Sequence, residues 1–443
     1  DPFAPLDPAL LSKVLRSRER ILVQNSSFKT VIAGSPFSLP AGKATLTATI
    51  EAESGGANSR DRSGGGSALQ LRRARIEGGV AIDLPITSRD RKVLGTIGTL
   101  SLNGSLNVRS VRGFGTLRDS TLGATWSPAR PIQFLLLQRH SATAPDISAQ
   151  ATPLTITPNV PFLDYRTGTT EIISLIQSGN PGLRAERKVT RSLGFTLQPI
   201  PRSALRLSAT YEATTLRDQT GNIYAPGALI EAAVPGLFVR NAQGRLIEAT
   251  LRPINFALER QRTLNILVNA NGQIGKPKPA PAGGKAPPRW NYWAGAGPSI
   301  KFLDQLILAK GAPALDLLAG DSVNGGGTAR VSGYAYGGAS KGGNGFTFDF
   351  WASGASHVRG GAPTTTLRFG TVFKLNLAAF ASLHEILPKA GWAKRTQIRI
   401  EVANATDWHP GVTDATGSVP SRFQRDLLEP TGRTVTLALR KRF

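Results

Sequence analysis

Residues 432–443 read G-R-T-V-T-L-A-L-R-K-R-F. Val435, Leu437 and Leu439 alternate with Thr434, Thr436, Ala438 and Arg440. A period of two puts one set on each face, so this stretch predicts a strand with one apolar and one polar side. The same alternation recurs upstream. Across residues 43–53, Ala44, Leu46, Ala48, Ile50 and Ala52 fall opposite Thr45, Thr47, Thr49, Glu51 and Glu53. The apolar side there runs unbroken for about ten residues, the length a tilted strand needs to cross a bilayer.

Similar patterns occupy residues 27–35, 70–84, 99–108, 116–126, 131–140, 188–197, 204–214, 262–274, 291–302, 328–339, 345–357, 367–381 and 396–404. With the final strand the count is about fifteen. Leu102 and Leu207 fall on apolar faces and are expected near the middle of the crossing; Ser101 and Ser208 face the other way. The connections near Ser35, Ser127, Gln198 and Lys341 are short, and 275–289 reads as a long Pro/Gly/Lys-rich turn. Those at 54–67, 141–187, 216–258, 303–327 and 406–431 are long. Short turns at one end and long loops at the other mark an outer-membrane barrel, whereas a sandwich has no such asymmetry. The expected fold class is therefore all-β, a transmembrane antiparallel β-barrel. Residues 1–26 are expected to be a loop segment on the long-loop side, with a short helix over 10–22, and 27–443 to be barrel.

Composition narrows the function. The chain has 443 residues and contains neither Cys nor Met. That excludes disulfides, thiolate metal sites and a cysteine nucleophile. The chain opens on Asp1, so we expect a preceding part that was removed or sits in a separate chain. No run approaches the roughly 18–20 apolar residues of a membrane-spanning helix. Lys plus Arg exceed Asp plus Glu by 53 − 29 = 24. The arginines are dispersed rather than interleaved with aromatics, which argues against nucleic acid and for an anionic lipid surface or solute. Arg73 and Arg75 have two readings: pairing with acids such as Glu77 inside a solvated lumen, which we favour, or attraction of an anionic solute. His140, His357, His384 and His409 are scattered, with no metal-ligand spacing. No nucleophile elbow or phosphate-binding loop occurs, so the reading is a non-enzyme without cofactor or metal.

The terminal alternation closing on Phe443 resembles the C-terminal assembly signal of bacterial outer-membrane barrels, carried here by Val435, Leu437, Leu439 and Phe443. The stretch S-G-N-P-G-L-R-A-E, 178–186, with Gly179, Asn180, Pro181 and Glu186, resembles the "GNPxLxxE" loop-to-strand motif of TonB-dependent outer-membrane receptors. The Asn404 region, the terminal Gly432-Arg-Thr434 and the turn Trp126-Ser-Pro128 are similar to that family's "N-x-x-D", "GRT" and "W-x-P" stretches. Together they cover about the last 330 residues. The resemblance implies integral residence in a Gram-negative outer membrane and energy-coupled uptake of a scarce solute, such as a siderophore-like chelate or a saccharide. It implies as partners an N-terminal plug and first strands, a TonB-type energy-coupling complex acting through that plug, outer-membrane lipid or lipopolysaccharide, and the barrel-assembly machinery. Neither a plug nor a TonB box is recognisable, and the family's strand number exceeds the count here by about seven. A plugless porin and a soluble or surface all-β binding protein are the alternatives.

Overall fold

The computed structural model describes residues 19–61, 68–200, 204–225, 227–276 and 286–442. The strands are β1 (Glu19–Leu39), β2 (Gly42–Asp61), β3 (Ala68–Thr87), β4 (Thr99–Val111), β5 (Gly115–Ala129), β6 (Ile132–Thr143), β7 (Thr155–Leu163) and β8 (Thr170–Gln177). Then come β9 (Glu186–Leu197), β10 (Arg206–Gly221), β11 (Phe238–Arg240), β12 (Leu246–Leu251), β13 (Ile254–Ile274), β14 (Trp290–Ile307), β15 (Leu315–Asp316) and β16 (Val331–Lys341). The chain closes with β17 (Asn344–Ser353), β18 (Ser356–Val358), β19 (Leu367–Phe369), β20 (Val372–Ser382), β21 (Thr396–Ala403), β22 (Val412–Asp414) and β23 (Thr434–Lys441).

One 16-stranded sheet dominates, in the order β1-β2-β3-β4-β5-β6-β9-β10-β13-β14-β16-β17-β20-β21-β23 with β15 pairing beside β14. Every consecutive pair on that path is antiparallel and follows chain order, as a meander of alternating-face strands must. Among the described residues β1 pairs only with β2, and β23 only with β21, so both are open edges. All eight residues of β23 are exposed.

The register sorts the side chains into two faces. On one, Ala124 lies opposite Leu136, Leu136 opposite Leu193, Leu193 opposite Tyr211, and Tyr211 opposite Leu264. Leu122, Leu136 and Leu193 keep 67%, 61% and 55% of their surface exposed. On the other, Arg73 donates to the Pro145 carbonyl at 2.6 Å and to Gln150 Oε1 at 2.7 Å, so the first long loop lies over it. We call these the outer and inner faces. Aromatic rings gather at both rims of the outer apolar band. Trp126 stacks on Phe134 (5.5 Å), and Phe134 meets Phe195 (5.4 Å), towards the turns. Tyr211 meets Phe302 (6.3 Å), and Phe350 meets Phe373 (4.7 Å), towards the loops.

Several boundaries differ from the sequence reading. Strand β1 begins at Glu19, so residues 19–26, expected as a loop segment, are strand; residues 10–18 of the expected helix lie outside the described residues. Strand β1 also passes Ser35-Pro36 through a register shift between Gly34 and Phe37, and the turn falls at Pro40-Ala41. Proline lacks an N–H for the ladder, and a bulge absorbs it. Residues 54–61 continue β2 instead of opening a loop. Strand β10 reaches Gly221, β13 starts at Ile254, and β14 runs to Ile307. In each case backbone pairing outlasts the apolar alternation, because past the apolar band both faces accept polar residues. The end asymmetry is partial: Arg112-Gly113-Phe114 is a short connection from β4 to β5 at the loop end, and at the turn end residues 88–98, 275–289 and 383–395 make longer connections than the tight turns beside them.

Candidate functional site: the folded loops and the inner wall

The long connections are not irregular. Strands β7 and β8 from the first pair with β11 and β12 from the second, in the order β11-β12-β8-β7. Strand β12 runs parallel to β8, with Glu248 opposite Ser174 and Leu251 opposite Gln177. Beneath this sheet Ile173, Leu246, Phe238, Ile230 and Leu237 pack with Leu306 and Leu308 from the end of β14 and beyond, all under 9% exposed. A second small sheet, β18-β19-β22, joins the two last loops over Val358, Leu367 and Val412.

Polar contacts lock these pieces together. Asp164 has no exposed surface and accepts from Arg240 at 2.7 and 2.9 Å, from the Arg166 N–H and from Thr167. Arg240 also holds Glu231, at 2.6 Å. Burial alone would raise the Asp164 carboxyl; the hydrogen bonds from Arg240, Arg166 and Thr167 outweigh it and hold the group below the usual carboxylate range. The Glu231 and Asp164 carboxylates in turn raise Arg240. Arg245 grips Glu171 at 2.6 Å, and that hydrogen bond, with one from Thr169, lowers Glu171. The neighbouring Tyr165 ties the first loop to the last two. Its carbonyl accepts from Gly361 N–H and Thr365 Oγ1, and Arg422 stacks over its ring at 5.2 Å.

The family-like segments are joints of this assembly. Gly179 donates to the Thr152 carbonyl at 2.7 Å, and a Cβ there would stand 2.6 Å from Gln150 and Thr152 backbone atoms, so only glycine fits. Asn180 donates to the Pro253 carbonyl (2.9 Å) and accepts from Gly182 N–H (3.0 Å). Pro181 is exposed, and Glu186 opens β9 opposite Thr143. The motif thus ties the exit of the first loop to the end of the second. At the C-terminus, Asp407 Oδ1 accepts from the Arg433 N–H at 2.9 Å, and Gly432 beside it has φ +53°. Asn404 accepts from Trp408 N–H and donates to its carbonyl. The two ends of the last loop therefore meet. Val435, Leu437 and Leu439 line the outer face of β23, opposite Val402, Ile400 and Ile398; Phe443 lies outside the described residues.

On the inner wall charges are paired. Arg75 contacts Glu51 and Glu53, Lys29 contacts Glu51, and Arg109 contacts Asp119 and lies 4.0 Å from Glu77. Arg73 holds loop acceptors and stacks over Phe114. This is the favoured pairing reading, with Glu51 and Glu53 in place of Glu77 as partners of Arg75. His140 contacts Gln138 and His357 the Ala319 carbonyl, and no three His, Asp or Glu groups among the described residues gather as a metal site. The Asp164–Arg240–Glu231 joint escaped the sequence reading: 76 residues separate Asp164 from Arg240, and no local pattern marks either.

No family model and no curated protein matches the chain by sequence. Solved structures match in three dimensions. The siderophore receptor PirA from Acinetobacter baumannii superposes over 96% of this chain and 55% of its own, at TM-score 0.55 and 13% identity. This chain has the fold of a siderophore-receptor barrel. The ferric enterobactin receptor PfeA from Pseudomonas aeruginosa, in complex with BCV-L6, superposes over 96% and 54%, at TM-score 0.56 and 13% identity. The RagAB peptide transporter gives 90% and 53%, at TM-score 0.52 and 9% identity. The chain spans about half the length of the structures it matches. These neighbours are named as receptors and a transporter, in keeping with the non-enzyme reading. The resemblance to TonB-dependent outer-membrane receptors holds at the level of fold.

Proposed function

We propose that this chain is the C-terminal portion of an outer-membrane receptor barrel that admits a scarce solute in a TonB-dependent, energy-coupled way. The observation that carries the reading is the outer face. Exposed Leu122, Leu136, Leu193, Ile32, Phe28 and Ile400 form a continuous apolar wall rimmed by aromatics, larger than water tolerates on a soluble protein. In lipid each such side chain gains about 1.5–3 kcal/mol over exposure to water. The interlocked loops at one end suit capture of a solute, and the siderophore-receptor fold favours a chelate-sized one. The open edges at β1 and β23 call for further strands, since unpaired backbone groups in hydrocarbon each cost several kcal/mol. We assign those strands, and a lumen-filling plug that the energy-coupling complex pulls, to the remainder of the receptor.

Uptake by the source cells of a labelled panel of ferric siderophores and oligosaccharides tests this. We expect one labelled class to be lost on deletion of the receptor and to stop when a protonophore collapses the inner-membrane gradient. Receptor-dependent uptake that ignores the protonophore would instead mean a diffusion pore.

A further inference from the structure

The inner wall changes character along the sheet. On β2 to β5 it carries Arg75 and Arg109, each held to carboxylates. On β10 to β17 it forms a hollow of about 460 Å³, and none of the described residues that line it is Lys or Arg. Glu212, Asn265, Ser299, Tyr334 and Trp351 do line it. Register places them on the inner face. Glu212 and Asn265 follow the outer-face residues Tyr211 and Leu264. Ser299 lies opposite Asn265, and Tyr334 lies between Gly297 and Trp351. Tyr334 is near the first residue of β16 and Trp351 near the last of β17, so the aromatic end is open towards the loops.

The rings decide which chemistry fits. A Cβ on Gly297 would stand 2.5 Å from the Tyr334 ring, and one on Gly295 would stand 2.6 Å from the Tyr336 ring. Each tyrosine therefore lies flat along the backbone of β14, a close approach that the missing side chains allow. The two rings stand side by side, 13° from parallel with centroids 6.3 Å apart, and Tyr336 Oη bonds Asn269 Oδ1 at 3.1 Å. A ring resting on one face offers the other to the lumen. Tyr334, Tyr336 and Trp351 keep 46%, 40% and 48% of their surface exposed. The face of an aromatic ring is the negative part of its quadrupole, so it attracts a cation and repels an anion. Glu212, at the other end of the hollow, takes a hydroxyl from Ser192 at 3.4 Å and makes no ion pair among the described residues. Its charge has the same sign as the ring faces.

We propose that this hollow seats an organic ammonium group on the faces of Tyr334, Tyr336 and Trp351. The solute admitted is then one that carries such a group. The chain's net charge points to an anionic solute, and this part of the wall has the opposite preference. The proposal rests on the receptor reading above and names a chemical class for its solute.

The test titrates the whole receptor in detergent with choline, read by saturation-transfer NMR on the choline methyl groups. Two probes of the same bulk are run beside it: the neutral isostere in which carbon replaces the ammonium nitrogen, and the anion tert-butylacetate. We expect choline to bind about tenfold tighter than the neutral isostere, and the anion not to bind. Tyr334→Leu and Trp351→Leu should each weaken choline about threefold or more. Ser105→Ala, on the inner face of β4, should bind like the parent. Heat-modifiable mobility shows which variants are folded. If a leucine variant does not fold, Tyr334→Phe and Trp351→Phe should keep the preference for choline over its isostere. Equal binding of choline and the isostere would overturn the proposal, as would folded leucine variants that bind like the parent. So would a folded parent that takes no choline, which would leave the rings to a lysine or arginine of the receptor's own remainder. Receptor-dependent uptake that ignores a protonophore defeats the energy-coupled reading and leaves choline binding untouched; a folded barrel indifferent to choline defeats this site alone.

Discussion

Arg240 carries the loop assembly, because it neutralises two acids contributed by two loops, one of them Asp164 with no exposed surface. Removing one partner of a buried ion pair leaves an uncompensated charge and costs about 3–5 kcal/mol. Arg240→Ala should therefore raise hydrogen exchange in β7, β8, β11 and β12 while leaving β2 to β5 as protected as before. Unchanged protection of the loop strands would show that the joint contributes little. Acid should act on the same joint. The folded-state carboxyls of Asp164 and Glu171 lie below their unfolded values, near 3.9 and 4.3. Their contribution is thus fully present above about pH 5 and is lost as pH falls through the folded values. Exchange in the loop strands, normalised to the intrinsic rate, should rise between pH 6 and pH 3; a flat profile would contradict this. At this scale the sequence was partly legible. Gly179, Asn180 and the 404–407 turn stood out only through their resemblance to family motifs; the partner of Asn180, the Pro253 carbonyl, is 73 residues away and was not legible. Asp164 and Arg240 did not stand out, since nothing local records a partner 76 residues away.

At the scale of single strands, alternation was the readable signal, and it marked where strands cross the apolar band but not where they end. Leu102 and Leu207 illustrate the difference. Leu102 lies opposite Ala124, inside the band, while Leu207 lies opposite Leu197, on the turn side of the Ala209–Phe195 pair and so at the rim. An arginine at 207 would reach headgroups. The contrast is Leu102→Arg, on the outer face inside the band, against its inner-face neighbour Ser101→Arg, opposite Thr125. The first should cost about 2–4 kcal/mol of barrel stability and the second little, measured by denaturant unfolding in lipid vesicles. Equal costs would contradict the assignment of faces. The strands of the loop caps were mostly unreadable for a physical reason, since neither of their faces meets a uniform medium; where residues of β18 and β19 were read as strand, within 345–357 and 367–381, they were taken as ends of barrel strands, whereas they pair in the β18-β19-β22 cap. We also propose that Val435, Leu437, Leu439 and Phe443 act in assembly. Deleting Phe443 should lower the amount of heat-modifiable receptor in the outer membrane; normal levels would argue against it.

For the whole molecule, the open sheet is the dominant fact. Strands β1 and β23 each leave one row of backbone groups unpaired among the described residues, and Phe28, Ile32, Val435, Leu437 and Leu439 beside those edges stay 65–69% exposed. Under the proposed function the barrel would close as the 22-stranded, plugged outer-membrane transporters do, with roughly seven further strands (22 − 15). The inner wall fits such a filling, with its paired charges and loop-covered arginines, better than it fits an open water channel. The measurement that tests this most directly is an electron cryomicroscopy map of the receptor extracted natively from its membrane. We expect additional strands between β1 and β23 and a folded plug against the inner wall. A map in which β1 pairs directly with β23 around an empty lumen would contradict it.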